Sequence, residues 1–244
     1  MADEDDVERS GSGAQIYRHG ERKTPFTPPD SAADHCEEIT THVEKHIGKV
    51  DFVWHEIVSD LVHIDILSIP ATDERPCHWF VTSGVSDLPM TVPQGHEEFA
   101  RVELMFALPR DWPISQDAFK DEANYWPLRW LKLVGRLPHE YQTWIGYGHT
   151  IPHGDPPKPI ADTKFVGVML TPPYHLSPEF FRLDTDDGHP IHFFALTPMY
   201  PEELDIKLEK GAEEIEKRFE KQEIGFVLDK DRPNVALKRG WFKW

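Results

Sequence analysis

His149, His153 and Asp155 fall within seven residues of one another, and two imidazoles beside a carboxylate are a ligand set that suits a transition metal. In zinc-dependent hydrolases two histidines four apart share one face of a helix, and a Glu directly after the first acts as general base. Here Thr150 stands in that place, and Pro152 with Gly146, Gly148 and Gly154 argues for a loop rather than a helix. A metal-dependent hydrolase on the His149, His153 and Asp155 loop is therefore kept as an alternative, and the preferred reading assigns no metal, no cofactor and no catalytic residue. Asp184-Thr185-Asp186-Asp187-Gly188 offers oxygen ligands of the kind calcium takes. Its acidic positions do not alternate before the Gly, and Ala195 stands where a closing Glu belongs, so it reads as an exposed turn. Ser86, within Gly84-Val85-Ser86-Asp87-Leu88, lacks the closing Gly of a nucleophile elbow. It reads instead as part of a sharp turn whose polar side chains satisfy backbone groups. No Walker loop and no dinucleotide-binding Gly fingerprint occurs.

Binding chemistry is better represented. Trp144, Tyr147 and His149 sit together in a Gly-rich loop, and amphipathic aromatic side chains suit the centre of a protein interface. The competing reading packs Trp144 into the core and bonds His149 to backbone. The chain carries 43 acidic and 26 basic side chains, a net charge of −17. That balance argues against nucleic-acid phosphate and anionic membrane surfaces as partners, because both require a basic footprint. It agrees with solubility, or with steering toward a basic protein. No apolar run approaches the roughly 20 residues of a membrane span, and Met1-Ala2-Asp3-Glu4-Asp5-Asp6 is unlike a secretory signal, so a cytoplasmic location is expected. Cys36 and Cys77 are too few for a disulfide framework and read as free thiols.

The elements that would hold these residues follow from periodicity. Residues 1–30, led by Asp and Glu and closed by Pro25, Pro28 and Pro29, read as a disordered tail. Asp30 or Ser31 is placed to cap a first helix carrying Cys36, Ile39, Val43, Ile47 and Val50. Strands are expected over 62–69, 77–81, 102–108, 165–170 and 192–196. A second helix opens at Trp126-Pro127, runs its stripe through Trp130, Leu133, Val134 and Leu137, and stops at Pro138. A third starts at Pro201, with Leu204, Leu208, Ala212, Ile215 and Phe219 on its buried side and a bend expected at Gly211. Together these give one α+β domain over residues 31–230: a mixed, mostly antiparallel sheet with three principal helices. Residues 231–244, ending in Arg239-Gly240-Trp241-Phe242-Lys243-Trp244, form a basic and aromatic tail.

Four segments in order carry a family resemblance. They are Thr82-Ser83-Gly84-Val85-Ser86-Asp87-Leu88-Pro89-Met90 after Trp79-Phe80-Val81, then Glu103-Leu104-Met105-Phe106-Ala107-Leu108-Pro109-Arg110-Asp111-Trp112, then Trp126-Pro127, and finally Gly146-Tyr147-Gly148-His149-Thr150-Ile151-Pro152. Together they resemble the Suppressor of fused (SUFU-like) domain family over roughly residues 62 to 220, with Val85 where the family form has Met. The resemblance implies protein binding rather than a known reaction. Eukaryotic members sequester a transcription factor. Single-domain bacterial members are proposed as immunity proteins against polymorphic toxins. By that resemblance the chain is expected to be a non-catalytic binding protein, an immunity protein that occludes a basic toxin domain, with Trp144, Tyr147, His149, Asp87, Asp184, Asp186 and Asp187 as its partner-binding residues. A regulator that masks a peptide by strand addition is a further alternative. Two departures restrict the carry-over from eukaryotic members. Only 24 residues follow Glu220, too few for their second domain, and Gly148 stands where they have an acidic residue before the loop His.

Overall fold

The computed structural model describes residues 8–22, 25–29 and 34–237. The expected cap at Asp30 or Ser31, the leading acidic residues and the tail from Arg239 to Trp244 lie outside the described residues.

One sheet of eight strands organises the molecule. In chain order the strands are β1 (Phe52–Trp54), β2 (Asp65–Ile69), β3 (Cys77–Ser83), β4 (Arg101–Pro109), β5 (Thr150–Pro152), β6 (Gly167–Thr171), β7 (Arg182–Leu183) and β8 (Ile191–Met199). Their spatial order is β1-β2-β3-β4-β8-β6-β5, with β7 added beside the start of β8. Every neighbour pair is antiparallel except β4 with β8, which run parallel from Arg101 opposite Ile191 to Met105 opposite Ala195. The α+β class and the mostly antiparallel sheet agree with the sequence reading.

Both faces of the sheet are covered, which is why Val102 through Leu108 are all buried and lack the alternation of a half-solvated strand. One face, with Phe80, Leu104, Phe106, Val168, Leu170 and Phe194, packs against α2 (Glu122–Tyr141) through Trp126, Trp130, Leu131 and Val134. The other face has two separate covers. Near β2, β3 and β4 it meets α1 (Cys36–His46) through Ile39 and Val43. Near β6 and the far end of β8 it meets α3 (Pro201–Lys210) and α4 (Ala212–Lys221) through Leu204 and Ile215, over Met169 and Met199.

The helices depart from expectation at their ends. The second begins at Glu122, because Asp121 caps it by accepting the Ala123 N–H, and it continues through Pro127 and Pro138 to Tyr141. Leu133, expected on its buried stripe, is exposed. The third helix is two: Gly211, at φ +90°, ends α3 and begins α4, so a bend became a break. Part of the expected N-terminal tail lies against the domain. Arg22 pairs with Asp60, whose carboxyl this holds down at about 2, and the Tyr17 hydroxyl accepts from Trp144 Nε1 at 3.0 Å. At the other end Arg232 and Val235, inside the expected C-terminal tail, are buried. Among the described residues no helix is long and apolar enough to cross a membrane.

Candidate functional site

The turn after β3 is built around a carboxylate with no exposed surface. Glu103 accepts from the Gly84 N–H at 3.0 Å, from the Ser86 N–H at 3.0 Å and hydroxyl at 2.7 Å, and from the Thr82 hydroxyl. Desolvation outweighs these donors and pushes the Glu103 carboxyl above the ordinary range. A Cβ at Gly84 would come within 1.9 Å of the His63 carbonyl oxygen, and its φ of +113° is left-handed, so the turn requires Gly there. Ser86 is thereby placed as a structural donor, and Asp87 is buried beside it.

The histidine loop is not gathered around a shared centre. The His149 ring lies 4.4 Å, centroid to centroid, from Trp144 in a T-shaped contact, and burial lowers its pKa to about 4, so it is neutral at pH 7. His153 Nδ1 donates to the carbonyls of Lys158 and Pro159 at 3.2 and 3.0 Å. The Asp155 carboxylate is exposed and meets Arg18 at 3.3 Å. Among the described residues no group of three or more His, Cys, Asp or Glu is placed to hold a metal ion. Cys36 and Cys77 are free thiols.

The acidic turn is elsewhere. Asp187 accepts from the Thr185 hydroxyl and the His189 N–H. The Asp186 N–H donates to Glu38 of α1, and Asp184 pairs with Arg182. This turn precedes the first residue of β8, whereas α4 packs over that strand's far end, so Asp184, Asp186 and Asp187 are not brought together with Tyr147.

Tyr147 leads, through Glu216, to a cleft. Its loop rests against the start of α4, where a Cβ on Gly148 would meet that of Ala212 at 2.9 Å. The Tyr147 hydroxyl donates to Glu216 at 2.7 Å, and the Tyr174 hydroxyl donates to the other oxygen of the same carboxylate at 3.1 Å. Burial and this negative charge raise both phenols, Tyr174 to about 12, so both remain donors. The rings are nonetheless 44% and 63% exposed. Glu216 and Tyr174 line a cleft of about 560 Å³ between α4 and the segment 224–229, together with Trp79, Met105 and Ala195 of the sheet. Glu213 and Glu220 of α4 add to its acidic rim, with Lys217 between them.

The cleft exists because the sheet parts. Beyond Met105 opposite Ala195, β4 is bonded among the described strands only to β3, and β8 only to β6. Residues 225–228 enter the parting. Ala107 makes a parallel bridge with Val227 and accepts the Leu228 N–H at 2.8 Å. Phe226 stacks between Trp79, at 5.2 Å, and His175, at 4.1 Å. Arg232 fixes this segment on its far side by donating to both carboxylate oxygens of buried Glu203 at 2.8 and 2.6 Å. Sequence reasoning missed Trp79, Tyr174, His175, Glu216 and Phe226 as site residues. The apolar triplet Phe226-Val227-Leu228, standing alone after a charged helix, was the available signal.

The chain belongs to a known family. The model for Suppressor of fused protein (SUFU) matches residues 60–233, and the chain is a member of that family. Among solved structures, a SUFU homolog from Neisseria gonorrhoeae superposes with a TM-score of 0.60 at 16% identity, covering 84% of this chain and 99% of that one. A chain of the Sufu-Fu complex matches with a TM-score of 0.57 at 15% identity, over 86% of this chain and 93% of that one. Drosophila Suppressor of Fused matches at 0.54 and 16% identity, over 86% of this chain, which spans about half the length of that protein. No curated protein matches by sequence.

Proposed function

We propose that this protein binds another protein through the cleft beside α4, without catalysis, and so masks a surface of that partner. The carrying observation is the parted sheet: an apolar floor, and two strands that cease to pair with each other, beside two exposed phenols and an acidic rim. Strand edges recruit extended segments, and Tyr side chains are common interface anchors. The existence of a Sufu-Fu complex supports the same reading. A basic toxin domain held in the cytoplasm fits the net charge of −17, with the immunity role as the specific form of the proposal. Tyr147 belongs to this surface. Trp144 and His149 support its loop from behind, and Asp184, Asp186 and Asp187 contribute through long-range charge.

Affinity capture from the native cell, run side by side with the wild type and with Tyr147→Ala/Tyr174→Ala, tests the surface. A partner kept by the wild type and lost by the folded variant is expected; equal retention rejects the cleft. With that partner in hand, association should slow severalfold or more between low and physiological salt, and dissociation should change less. Charge reversal at Asp184, Asp186 and Asp187 should act on association. An association rate indifferent to both salt and these aspartates removes the steering mechanism.

A further inference from the structure

We propose that residues 225–228 are an internal stand-in for the ligand: a strap that fills the parting between β4 and β8 and must swing out before a partner's extended segment can enter. The inference rests on the cleft being the docking site and adds how that site is regulated and what it accepts.

Three observations carry it. First, the segment is held as an added strand and not as an integral one. Its pairing with the sheet is one bridge, Val227 with Ala107, and one backbone bond from Leu228, whereas the neighbouring β3–β4 ladder pairs five successive residues. Second, its anchor is a side-chain clasp open to solvent. Phe226 lies between Trp79 and His175 yet remains 40% exposed, so the ring can leave without opening the core. Third, the segment is tethered at both ends. Before it, Ile224 N–H bonds the Phe219 carbonyl at the end of α4; after it, Lys230 pairs with Asp162 at 2.9 Å and Arg232 is locked on Glu203. A strap fixed at both ends, and held in the middle by one bridge, one backbone bond and the buried Leu228 side chain, opens locally at a free-energy cost below that of global unfolding.

The strap also describes what it excludes. An aromatic side chain fits between Trp79 and His175, and an aliphatic one two residues later takes the place of Leu228 in the core beyond the sheet. Glu213, Glu216 and Glu220 along the rim favour flanking Lys or Arg. The partner segment is therefore an extended aromatic-x-aliphatic stretch with basic flanks. Its measured affinity is reduced by the fraction of molecules in which the strap is closed.

The full chain and a labelled synthetic peptide with the sequence of residues 221–230 provide the test. Phe226→Ala in the protein weakens the strap while leaving the parting intact. It should bind the peptide at least about tenfold more tightly than the wild type does. Replacing Phe by Ala in the peptide should abolish that binding. Phe226→Leu, which removes the ring but keeps an apolar side chain and leaves Trp79 and His175 in place, should act in the same direction by a smaller factor. In the wild type, the Leu228 amide should exchange with deuterium by a local opening, faster than the amides of residues 101–105 and insensitive to low urea. Peptide affinity equal in wild type and folded variants, no binding to either, or a Leu228 amide as protected as β4 would each overturn the strap. Tighter peptide binding by Phe226→Ala, alongside partner capture that ignores Tyr147 and Tyr174, would keep the strap and reject the cleft as the partner's site.

Discussion

The contact between β4 and β8 has two halves built on opposite plans. Over residues 101–105 the strands pair directly, and the carboxylate buried there, Glu103, is satisfied by hydroxyls and amides from a turn about 20 residues earlier. Past Met105 the strands separate, the gap is bridged by a later segment, and the nearby buried carboxylate, Glu203, is satisfied by a guanidinium 29 residues away. The first half uses neutral donors to hold one rigid turn. The second uses a charge pair to hold down a piece of chain that follows α4. A buried carboxyl kept by neutral donors fixes local geometry; one kept by a distant counter-charge fixes where a segment is fastened.

The largest effect should come from breaking the charged fastening. Arg232→Met leaves Glu203 buried without its cation and should cost about 3–5 kcal/mol in urea denaturation. The double variant Glu203→Leu/Arg232→Met should recover most of that loss, as replacement of a buried pair by apolar groups often does. Failure to recover would mean that Arg232 acts mainly through its contacts with Phe165, Tyr200 and Phe219.

Glu103→Gln should be milder, about 1–3 kcal/mol at neutral pH, because an amide must turn its donors toward groups that also donate. Its pH dependence carries the sign. The folded Glu103 carboxyl titrates above the unfolded value, so the folded state binds more protons through that window. Wild-type stability relative to the variant should therefore fall as pH rises from about 4.5 through the folded pKa. A relative stability that instead rises would show that the four donors outweigh desolvation.

His149 offers an opposite slope. Its pKa is lowered to about 4, so its contribution is complete above about 6.5 and is lost as pH falls toward 4. NMR of the imidazole should show a midpoint near 4; a midpoint near 6.5 would mean the Trp144 contact leaves the ring solvated. The smallest effect belongs to the surface: Asp184→Asn removes an exposed pair with Arg182 and should change stability by less than about 1 kcal/mol, whatever it does to association.

The first half was far more legible in the sequence than the second. The strand 102–108, the turn from Thr82 and the stripe of Trp126, Trp130 and Val134 all announce themselves through local pattern, and the motifs that carry the family resemblance are largely this half. Even so, the role of Glu103 was missed, although a lone acid inside Val102-Glu103-Leu104 marks a buried carboxylate needing donors. Helix ends slipped because Asp121, not the Trp126-Pro127 pair, caps α2, and because Pro127 and Pro138 are tolerated within it. The cleft was not legible at all as a unit. Trp79, Met105, Tyr174, Ala195, Glu216 and Phe226 come from six separate segments, and no spacing rule joins them. The aspartates of 184–187 were conspicuous by composition, and their turn is closed largely by its own hydrogen bonds. Tyr147 alone was both visible beforehand and placed beside the cleft, through Glu216.

The parallel pairing of β4 with β8 also sets an order of events during synthesis. Arg101 and Ile191, which face each other, are separated by 90 positions in the chain, so the middle of the sheet is a late, slow closure dominated by loop entropy. Until residue 191 has left the ribosome, β4 exposes an apolar edge seven buried residues long, and β6 waits without its central neighbour. Nascent chains paused before that point carry two unpaired edges of the kind that seed aggregation. The pace of translation through the loop preceding β8 thus sets how long those edges stay open.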